Sequence, residues 1–273
     1  MTRQAVQFGA GNIGRGFLGQ LYFESGYHTT FVDVMDDLVE ELNRRGEYPL
    51  RIVGDTQHTV TIRDVSAIHA DDVDAVADAL ARADLASTAV GVSVLPQIAP
   101  LIAAGVARRF KHDDASPLNF IVCENLIGAE PFLRNQVRGH LAAPFHEALT
   151  ERVGFVEASI GRMVPIMTAE EKAEDPLLVC VEPYCELPVD RAGFKGPVPV
   201  LENMQPRPNF DAYVERKLFV HNMSHATAAY LGYLRGHEYV WQAVEDGTVR
   251  REVEAALAET CWGLVAKHGI DRD

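Results

Sequence analysis

A short run of chemically capable side chains lies at residues 217–225, which read KLFVHNMSH. Its lysine, asparagine and two histidines allow three interpretations: a metal site, a proton-transfer site, or the polar face of an ordinary helix. A lysine acts as a general base when burial lowers its pKa, and an asparagine amide can donate a hydrogen bond to a developing alkoxide. A neutral imidazole can orient a substrate hydroxyl. Together with a bound hydride acceptor, this set could oxidise an alcohol without a metal.

Regular α-helical spacing predicts that these polar residues share one side of a helix. With Lys217 as zero and about 100° per residue, His221 lies at about 40°, His225 at about 80° and Asn222 at about 140°. The opposite side carries apolar residues that suit a core. A solvated helix face explains the pattern as well, although Asn, His and Met are poor choices for a generic exposed helix.

The metal interpretation depends on two histidines. His221 and His225 have the i, i+4 spacing of the zinc helix H-E-x-x-H. The residue after His221 is Asn222, so the general-base glutamate of that motif is missing, and nothing in the sequence nominates a third ligand. The sequence therefore disfavours a metal here.

A glycine-rich turn near the N-terminus could supply the binding site for a hydride acceptor. The sequence G-A-G-N-I-G follows an apolar strand and opens a helix. Such glycines allow a tight turn, close backbone approach to a pyrophosphate, and close packing of the helix on the strand. The candidate cofactor-binding residues of this turn are Gly9, Ala10, Gly11, Asn12, Ile13 and Gly14.

An acidic residue at the end of the next strand indicates which dinucleotide would bind. Asp33 lies nineteen residues after Gly14. A carboxylate at this place can accept hydrogen bonds from both ribose hydroxyls and would repel the 2′-phosphate of NADP. Neither residue 34 nor residue 35 is basic. We therefore expect NAD as the cofactor.

The apolar pattern predicts strands and helices in alternation over the first half of the chain, an order typical of a parallel sheet with crossover helices. A hairpin is predicted at 48–68 around the sequence GDTQ. The predicted strands are 4–8, 28–34, 85–92 and 118–125, and the predicted helices are 12–25, 36–46, 71–83, 94–110 and 129–140.

The pattern changes after Val153. Strands are predicted at 155–165 and 177–184, with the charged segment AEEKAED between them as a loop, and the chain reads as helical from Phe210 almost to its end. The fold class predicted is α/β: a Rossmann-type, doubly wound, mostly parallel sheet followed by the start of a mainly helical substrate domain. We place the NAD-binding domain at residues 1–185 and the helical catalytic domain at residues 186–273.

Composition excludes several classes of partner. A net charge of −14 over 273 residues argues against binding to nucleic acid or to an acidic membrane surface, but not against a small anionic ligand. The four cysteines form no C-x-x-C pair, which is typical of reduced thiols in a cytoplasmic protein. No signal peptide or membrane-spanning run is predicted. The oligomeric state is not indicated.

Lys217, Asn222 and His225 form the pattern K-x4-N-x2-H, which resembles the signature of the polyol-specific long-chain dehydrogenases. Further stretches resemble the same family in the same order, so the resemblance runs along essentially the whole chain. They are FGAGNIGRGFLG (8–19), SPLNFIVCENLIGA (116–129), GRMVP (161–165) and VERKLFVHNMSHATAAYLG (214–232).

The resemblance implies a metal-independent enzyme that acts on a sugar phosphate. It would interconvert D-mannitol 1-phosphate and D-fructose 6-phosphate, with NAD as the cofactor. Carried over by motif, Lys217 is the acid/base. Asn222 polarises the reacting oxygen, and so does Asn125, which ends the sequence CEN after the strand. His225 positions the substrate. His221 falls outside the signature, and its role stays open between tuning Lys217, lining the pocket and a structural contact.

Two alternatives remain. The first is a related polyol or hexuronate dehydrogenase, because the contacts to the substrate phosphate are not identified. Arg162, Lys195 and Arg207 are candidates for these contacts. The sequence favours instead a carboxylate partner at a strand end for Arg162, and solvated loop charges for Lys195 and Arg207. The second is a non-catalytic NAD-binding protein. Members of the family continue beyond the equivalent of Asp273, so we expect the helical domain to be truncated at its C-terminus.

Overall fold

The chain forms two compact units, Met1–Pro208 and Asn209–Asp273. The computed structural model describes residues 2–111, 116–165 and 167–270. The division lies later than the boundary after residue 185 that the sequence suggests. The reason is that the segment after Cys185 returns to the first unit, where Leu187 and Val189 are fully buried in an apolar cluster.

A six-stranded parallel sheet forms the centre of the first unit, in the order β5-β2-β1-β6-β7-β8. The prediction of a Rossmann-type doubly wound sheet is therefore confirmed, because the strand order reverses between β1 and β6, as it does in dinucleotide-binding folds. The strands are β1 Arg3–Phe8, β2 Tyr27–Asp33, β3 Glu47–Val53, β4 Gln57–Arg63, β5 Val65–His69, β6 Leu85–Thr88, β7 Leu118–Val122, β8 Val153–Glu157, β9 Val179–Val181, β10 Leu187–Asp190 and β11 Met204–Arg207.

Helices cover both faces of the central sheet. Along β7, Phe120 and Val122 enter one apolar cluster while Ile121 enters another, because successive strand residues point to opposite faces. Every residue of β7 is buried, as expected for a central parallel strand. The helices are α1 Gly19–Glu24, which continues a π-helix at Gly14–Leu18, α2 Asp36–Arg45, α3 Val73–Arg82, α4 Leu95–Arg109, α5 Ala129–His140, α6 His146–Arg152 and α7 Ala169–Glu174, with 3₁₀ turns at Val92–Val94, Ala143–Phe145 and Arg191–Gly193.

A smaller sheet lies beside the central one. The predicted hairpin is confirmed, because β3 and β4 pair antiparallel, and β9 adds to β3 in parallel. The segment AEEKAED was predicted as a loop and this is wrong: it forms α7, because Thr168 and Glu171 make a reciprocal capping box at its start. The strand predicted at 155–165 is also too long, since β8 ends at Glu157.

The second unit is helical, as predicted from Phe210 onward. Asp246 begins its longest helix by accepting hydrogen bonds from the backbone N–H groups of Thr248 and Val249. The far end of that helix is fixed by Glu215, whose carboxylate pairs with Lys267 at 2.5 Å and His268 at 2.8 Å. The helices are α8 Phe210–Arg216, α9 Met223–Leu234, α10 Val240–Glu245 and α11 Gly247–His268, with a π-helix at Lys217–Asn222. Within the described residues, no helix combines the length and hydropathy needed to span a bilayer.

Arg162 joins separate segments of the first unit from a buried position. Its guanidinium donates hydrogen bonds to the carbonyl oxygens of Gly16 at 3.0 Å and Glu182 at 2.8 Å, and to the side-chain oxygen of Gln20 at 2.6 Å. Burial lowers the pKa of Arg162. These backbone contacts differ from both sequence hypotheses for this arginine, a substrate phosphate and a carboxylate partner.

We expect Arg162→Met to lower the free energy of unfolding by about 2–4 kcal/mol, because buried carbonyl oxygens lose their donors. Chemical denaturation measures this change. The matched control is Arg63→Met, which removes an exposed arginine paired with Glu47 at 3.2 Å and should change stability by less than about 0.5 kcal/mol. Equal effects of the two substitutions would contradict the assignment.

Candidate functional site

The glycine turn after β1 lies at the carboxyl edge of the sheet, next to the point where the strand order reverses. A Cβ atom on Gly14 would lie 1.9 Å from the carbonyl oxygen of Gly9, and one on Gly9 would lie 2.5 Å from the carbonyl oxygen of Ala89. Gly9 also has a φ of +90°, which disfavours any side chain. A Cβ on Gly11 would meet nothing within 4 Å. The protein itself requires the first and third glycines, whereas the second faces open space that a ligand could enter.

A buried series of hydrogen-bonded polar side chains is attached to the carbonyl groups of this turn. Tyr22 donates a hydrogen bond to the Ser87 hydroxyl at 2.5 Å, and Ser87 donates to the side-chain oxygen of Gln7. The Gln7 amide then donates to the carbonyl oxygens of Phe8 at 2.6 Å and Gly9 at 3.2 Å. The series fixes the carbonyl groups of the turn and satisfies polar atoms that would be costly to bury unpaired.

Asp33 lies at the end of β2 and is bonded to the glycine turn. Its Oδ2 atom accepts a hydrogen bond from the N–H of Ala10 at 2.7 Å, and Oδ1 accepts from Val34 at 2.8 Å and Met35 at 3.1 Å. Because each carboxylate oxygen has two lone pairs, Oδ2 can still accept from a ribose hydroxyl. Asp33 therefore has the place and the acceptor capacity that the sequence interpretation requires.

Asn125 follows β7 at the same carboxyl edge and is exposed. Its neighbour Glu124 is buried, with 8% of its surface accessible. The two carboxylate oxygens of Glu124 accept hydrogen bonds from the backbone N–H groups of Val90 at 3.0 Å and Gly91 at 2.9 Å. Burial raises the pKa of Glu124, although both backbone donors oppose this shift. The end of β7 is thus attached to the loop that follows β6.

The lysine of the K-x4-N-x2-H pattern lies in a π-helix rather than a regular α-helix. The π segment runs over Lys217–Asn222, so the assumption of about 100° per residue is wrong here. A π-turn bonds residues five apart, which places Asn222 closer to the side of Lys217 than the about 140° separation of an α-helix. Lys217 is half-buried, and burial lowers its pKa. π-Turns in helices frequently mark functional sites.

The two histidines of this segment contact each other. The rings of His221 and His225 pack edge to face with their centroids 4.6 Å apart, and His225 is exposed. The hydroxyl of Ser224 donates a hydrogen bond to the carbonyl of His221 at 2.9 Å, which satisfies a backbone acceptor next to the π-turn. Over the part of the chain that the structure describes, no group of three or more His, Cys, Asp or Glu side chains is arranged to hold a metal ion.

The predicted site residues thus form two sets, one in each unit. The glycine turn, Asp33 and Asn125 share the carboxyl edge of the first unit, and Lys217, Asn222 and His225 share the π segment and the start of α9. Among the phosphate candidates, Lys195 lines a cavity of about 230 Å³ that is also lined by the acidic residues Glu130 and Asp190.

Sequence interpretation missed three residues of the first set, Gln7, Ser87 and Glu124. Each is a buried polar residue that lies within a buried strand or two residues after its end. Since a buried polar side chain requires partners, their presence in apolar strands was the signal that could have identified them.

Comparison with known proteins gives matches along the whole chain. Residues 3–203 match the family model of the mannitol dehydrogenase Rossmann domain, and residues 209–273 match that of the mannitol dehydrogenase C-terminal domain. A mannitol-1-phosphate 5-dehydrogenase of Geobacillus thermodenitrificans is 44% identical over 269 residues, which cover 98% of this chain and 69% of the relative.

Solved structures support the fold. The mannitol 2-dehydrogenase of Pseudomonas fluorescens, solved as a ternary complex with NAD and D-mannitol, superposes with a TM-score of 0.80 at 18% identity, over 99% of this chain and 66% of that one. An octopine dehydrogenase with NADH and L-arginine gives a TM-score of 0.54 at 14% identity, over 85% of this chain and 54% of that one. The chain therefore spans about two thirds of the length of its mannitol dehydrogenase relatives.

The glycine turn generates a paired prediction. We expect Gly11→Val to leave the free energy of unfolding within about 0.5 kcal/mol of the parent, because its Cβ has open space, but to weaken NADH binding at least about tenfold. Gly14→Ala, by contrast, should destabilise the fold, because its methyl group would meet the Gly9 carbonyl. Fluorescence titration with NADH and chemical denaturation separate the two effects. Tight NADH binding by Gly11→Val would contradict the assignment of the turn.

Proposed function

Because the chain belongs to the mannitol dehydrogenase family, we propose that it interconverts D-mannitol 1-phosphate and D-fructose 6-phosphate with NAD, by metal-independent hydride transfer. The observation that carries this proposal is the 44% identity, over 98% of the chain, to a mannitol-1-phosphate 5-dehydrogenase. The half-buried Lys217, whose pKa is lowered by burial, supports the lysine as the acid/base.

The cofactor site that we propose is the carboxyl edge of the first unit. Gly11 and its neighbours Ala10, Asn12 and Ile13 would lie against the pyrophosphate, in a turn that Gly9 and Gly14 allow to form. Asp33 would accept hydrogen bonds from the adenosine ribose, and its negative charge favours NAD over NADP. Bound NAD supplies the hydride acceptor for the oxidation.

The proton chemistry is assigned to the second unit. In the oxidation direction, Lys217 as the free amine accepts the proton of the C5 hydroxyl while the C5 hydride leaves the substrate. Asn222 donates a hydrogen bond to the oxygen as it changes from alcohol to carbonyl, a role that the motif resemblance also gives to Asn125. His225 orients the substrate. In the reverse direction Lys217 as the ammonium ion returns the proton to the oxygen.

Two features favour Lys217 over His221 or His225 as the proton acceptor. Burial lowers the pKa of Lys217, which is the shift that a lysine needs to act as a base near neutral pH. The π-turn also places Lys217 and the amide of Asn222 closer to one side of the helix, so that a base and a hydrogen-bond donor could reach the same oxygen.

A substrate panel tests the reaction. We expect NAD-dependent oxidation of D-mannitol 1-phosphate, measured as NADH absorbance, with kcat/KM at least about a hundredfold higher than for D-mannitol, since lost charge-assisted contacts to a phosphate cost several kcal/mol. A preference for unphosphorylated D-mannitol or for a hexuronate would replace the proposed substrate by a related one. NADH binding without turnover of any polyol would favour a binding protein over an enzyme.

Lys217→Ala tests the mechanism. We expect kcat to fall about 10²–10⁴-fold while the dissociation constant of NADH stays within about twofold, because only the proton acceptor is removed. The matched control is Lys111→Ala, which removes an exposed lysine after α4 and should leave both constants unchanged.

The pH profile of the parent provides a second readout for Lys217. Oxidation needs the free amine, so its kcat/KM should rise with pH up to the pKa of Lys217, which burial sets below the ordinary lysine value. Reduction needs the ammonium ion, so its rate should fall through the same pKa. Retention of the parent's profile and rate by Lys217→Ala would rule out this lysine as the acid/base.

A further inference from the structure

The loop that follows β6, residues 89–91, forms a wall of the crevice next to the glycine turn. A Cβ on Gly9 would lie 2.5 Å from the carbonyl oxygen of Ala89 and 3.2 Å from a methyl group of Val90, so the two loops are in direct contact. Gly91 is exposed, has a φ of +90°, and a Cβ on it would meet nothing within 4 Å. Within residues 89–91, which we name the β6 loop, Gly91 thus presents bare backbone to open space.

The side chain of Glu124 accepts hydrogen bonds from the backbone of the β6 loop. Glu124 is buried at the end of β7, and each of its carboxylate oxygens accepts one hydrogen bond from this loop, from Val90 at 3.0 Å and from Gly91 at 2.9 Å. Charge-assisted hydrogen bonds of this kind are stronger than neutral ones. Burial raises the pKa of Glu124, because removal from water disfavours the charged form of a carboxylate.

The position of the β6 loop determines which part of a dinucleotide it would meet. In a doubly wound sheet each half binds one mononucleotide, and the acidic residue after the second strand marks the adenosine half. Asp33 ends β2, on the β1-β2-β5 side of the reversal point. The β6 loop lies on the β6-β7-β8 side, which is therefore the nicotinamide side.

We infer that Glu124 is a positioning residue for the nicotinamide half of the cofactor, acting by holding Val90 and Gly91 so that the backbone of the β6 loop can lie against the nicotinamide nucleotide. The inference rests on the proposed NAD function. Glu124 is not a catalytic residue, because its carboxylate faces the loop backbone. Glu124 directly precedes Asn125. Its hydrogen bonds therefore fix the β6 loop relative to the end of β7, which carries the proposed oxygen-binding amide of Asn125.

Glu124→Gln is the informative substitution because it keeps the size of the side chain and removes one acceptor. The amide oxygen can accept one N–H, while the amide nitrogen would face the second N–H as a donor. We expect the β6 loop to shift and the dissociation constant of NADH to rise about tenfold. The dissociation constant of AMP, which contains only the adenosine half, should stay within about twofold of the parent.

The matched control is Asp84→Asn at the opposite end of β6. Asp84 also accepts a hydrogen bond from a backbone N–H, that of Gln4 at 2.7 Å, but it precedes β6 and so lies at the amino edge of the sheet. This variant should lose stability without weakening either NADH or AMP by more than about twofold. Fluorescence titration with NADH, calorimetric titration with AMP and thermal unfolding of the unliganded proteins give the three readouts.

Selective loss of NADH affinity in Glu124→Gln would support the inference. Unchanged NADH affinity, or an equal loss of NADH and AMP affinity, would overturn it while leaving the proposed NAD function intact. Failure of the parent itself to bind NADH would overturn both. If Glu124→Gln does not fold, Glu124→Asp keeps the buried charge but shortens its reach, and the same selective loss of NADH affinity is expected.

Discussion

The close contact between β1 and the helix that follows it is the constraint on which the cofactor site depends. With only hydrogen at Gly14 and Gly9, the carbonyl oxygen of the turn can lie directly under the first turn of the helix. Two separate segments attach to this turn, Asp33 through the N–H of Ala10 and the β6 loop by direct packing, and Gln7 of β1 donates a hydrogen bond to the carbonyl of Gly9. The glycine turn is therefore the part of the cofactor site to which the other segments are attached.

Two arginine side chains link the glycine turn and the helix after it to residues on either side of β9 in the smaller sheet. Arg15 donates hydrogen bonds to the carbonyl oxygens of Ala10 at 2.6 Å and Leu177 at 2.5 Å, and Arg162 donates one to the carbonyl oxygen of Gly16 at 3.0 Å in the π-helix after the turn. Both guanidinium groups are buried, and burial lowers the pKa of each. Because the planar guanidinium can donate in several directions at once, each links segments that are distant in sequence.

The sequence was sufficient to predict the parallel sheet and the positions of the glycine turn after β1 and of Asp33 at the end of β2, because hydrophobic period and glycine spacing are local patterns. The partners of Glu124 are distant in the chain, so no local pattern predicts them. The helix α7 was missed for another reason: its charge was taken to indicate a loop, although the sequence T-A-E-E is a capping box and Ala, Glu and Lys favour a helix. The π-turn at Lys217 was missed because periodicity arguments assume 3.6 residues per turn everywhere. Whether Lys217 and the glycine turn serve one reaction is a prediction that rests on motif and family.

The π-turn also has a consequence for how sequences of this helix can vary in length. A π-turn is equivalent to an α-helix that has gained one residue, so the residues from Met223 onward are rotated by about 100° relative to α8 compared with an uninterrupted helix. Removal of one residue between Lys217 and Asn222 could restore regular hydrogen bonding and leave the segment helical. The same deletion would shorten the K-x4-N spacing by one residue but leave α9 presenting the same face, because the π-turn compensates for the extra residue. Regular α turns at unchanged length would instead rotate Asn222 away from the side of Lys217, so the constellation depends on the extra residue and the π-turn together.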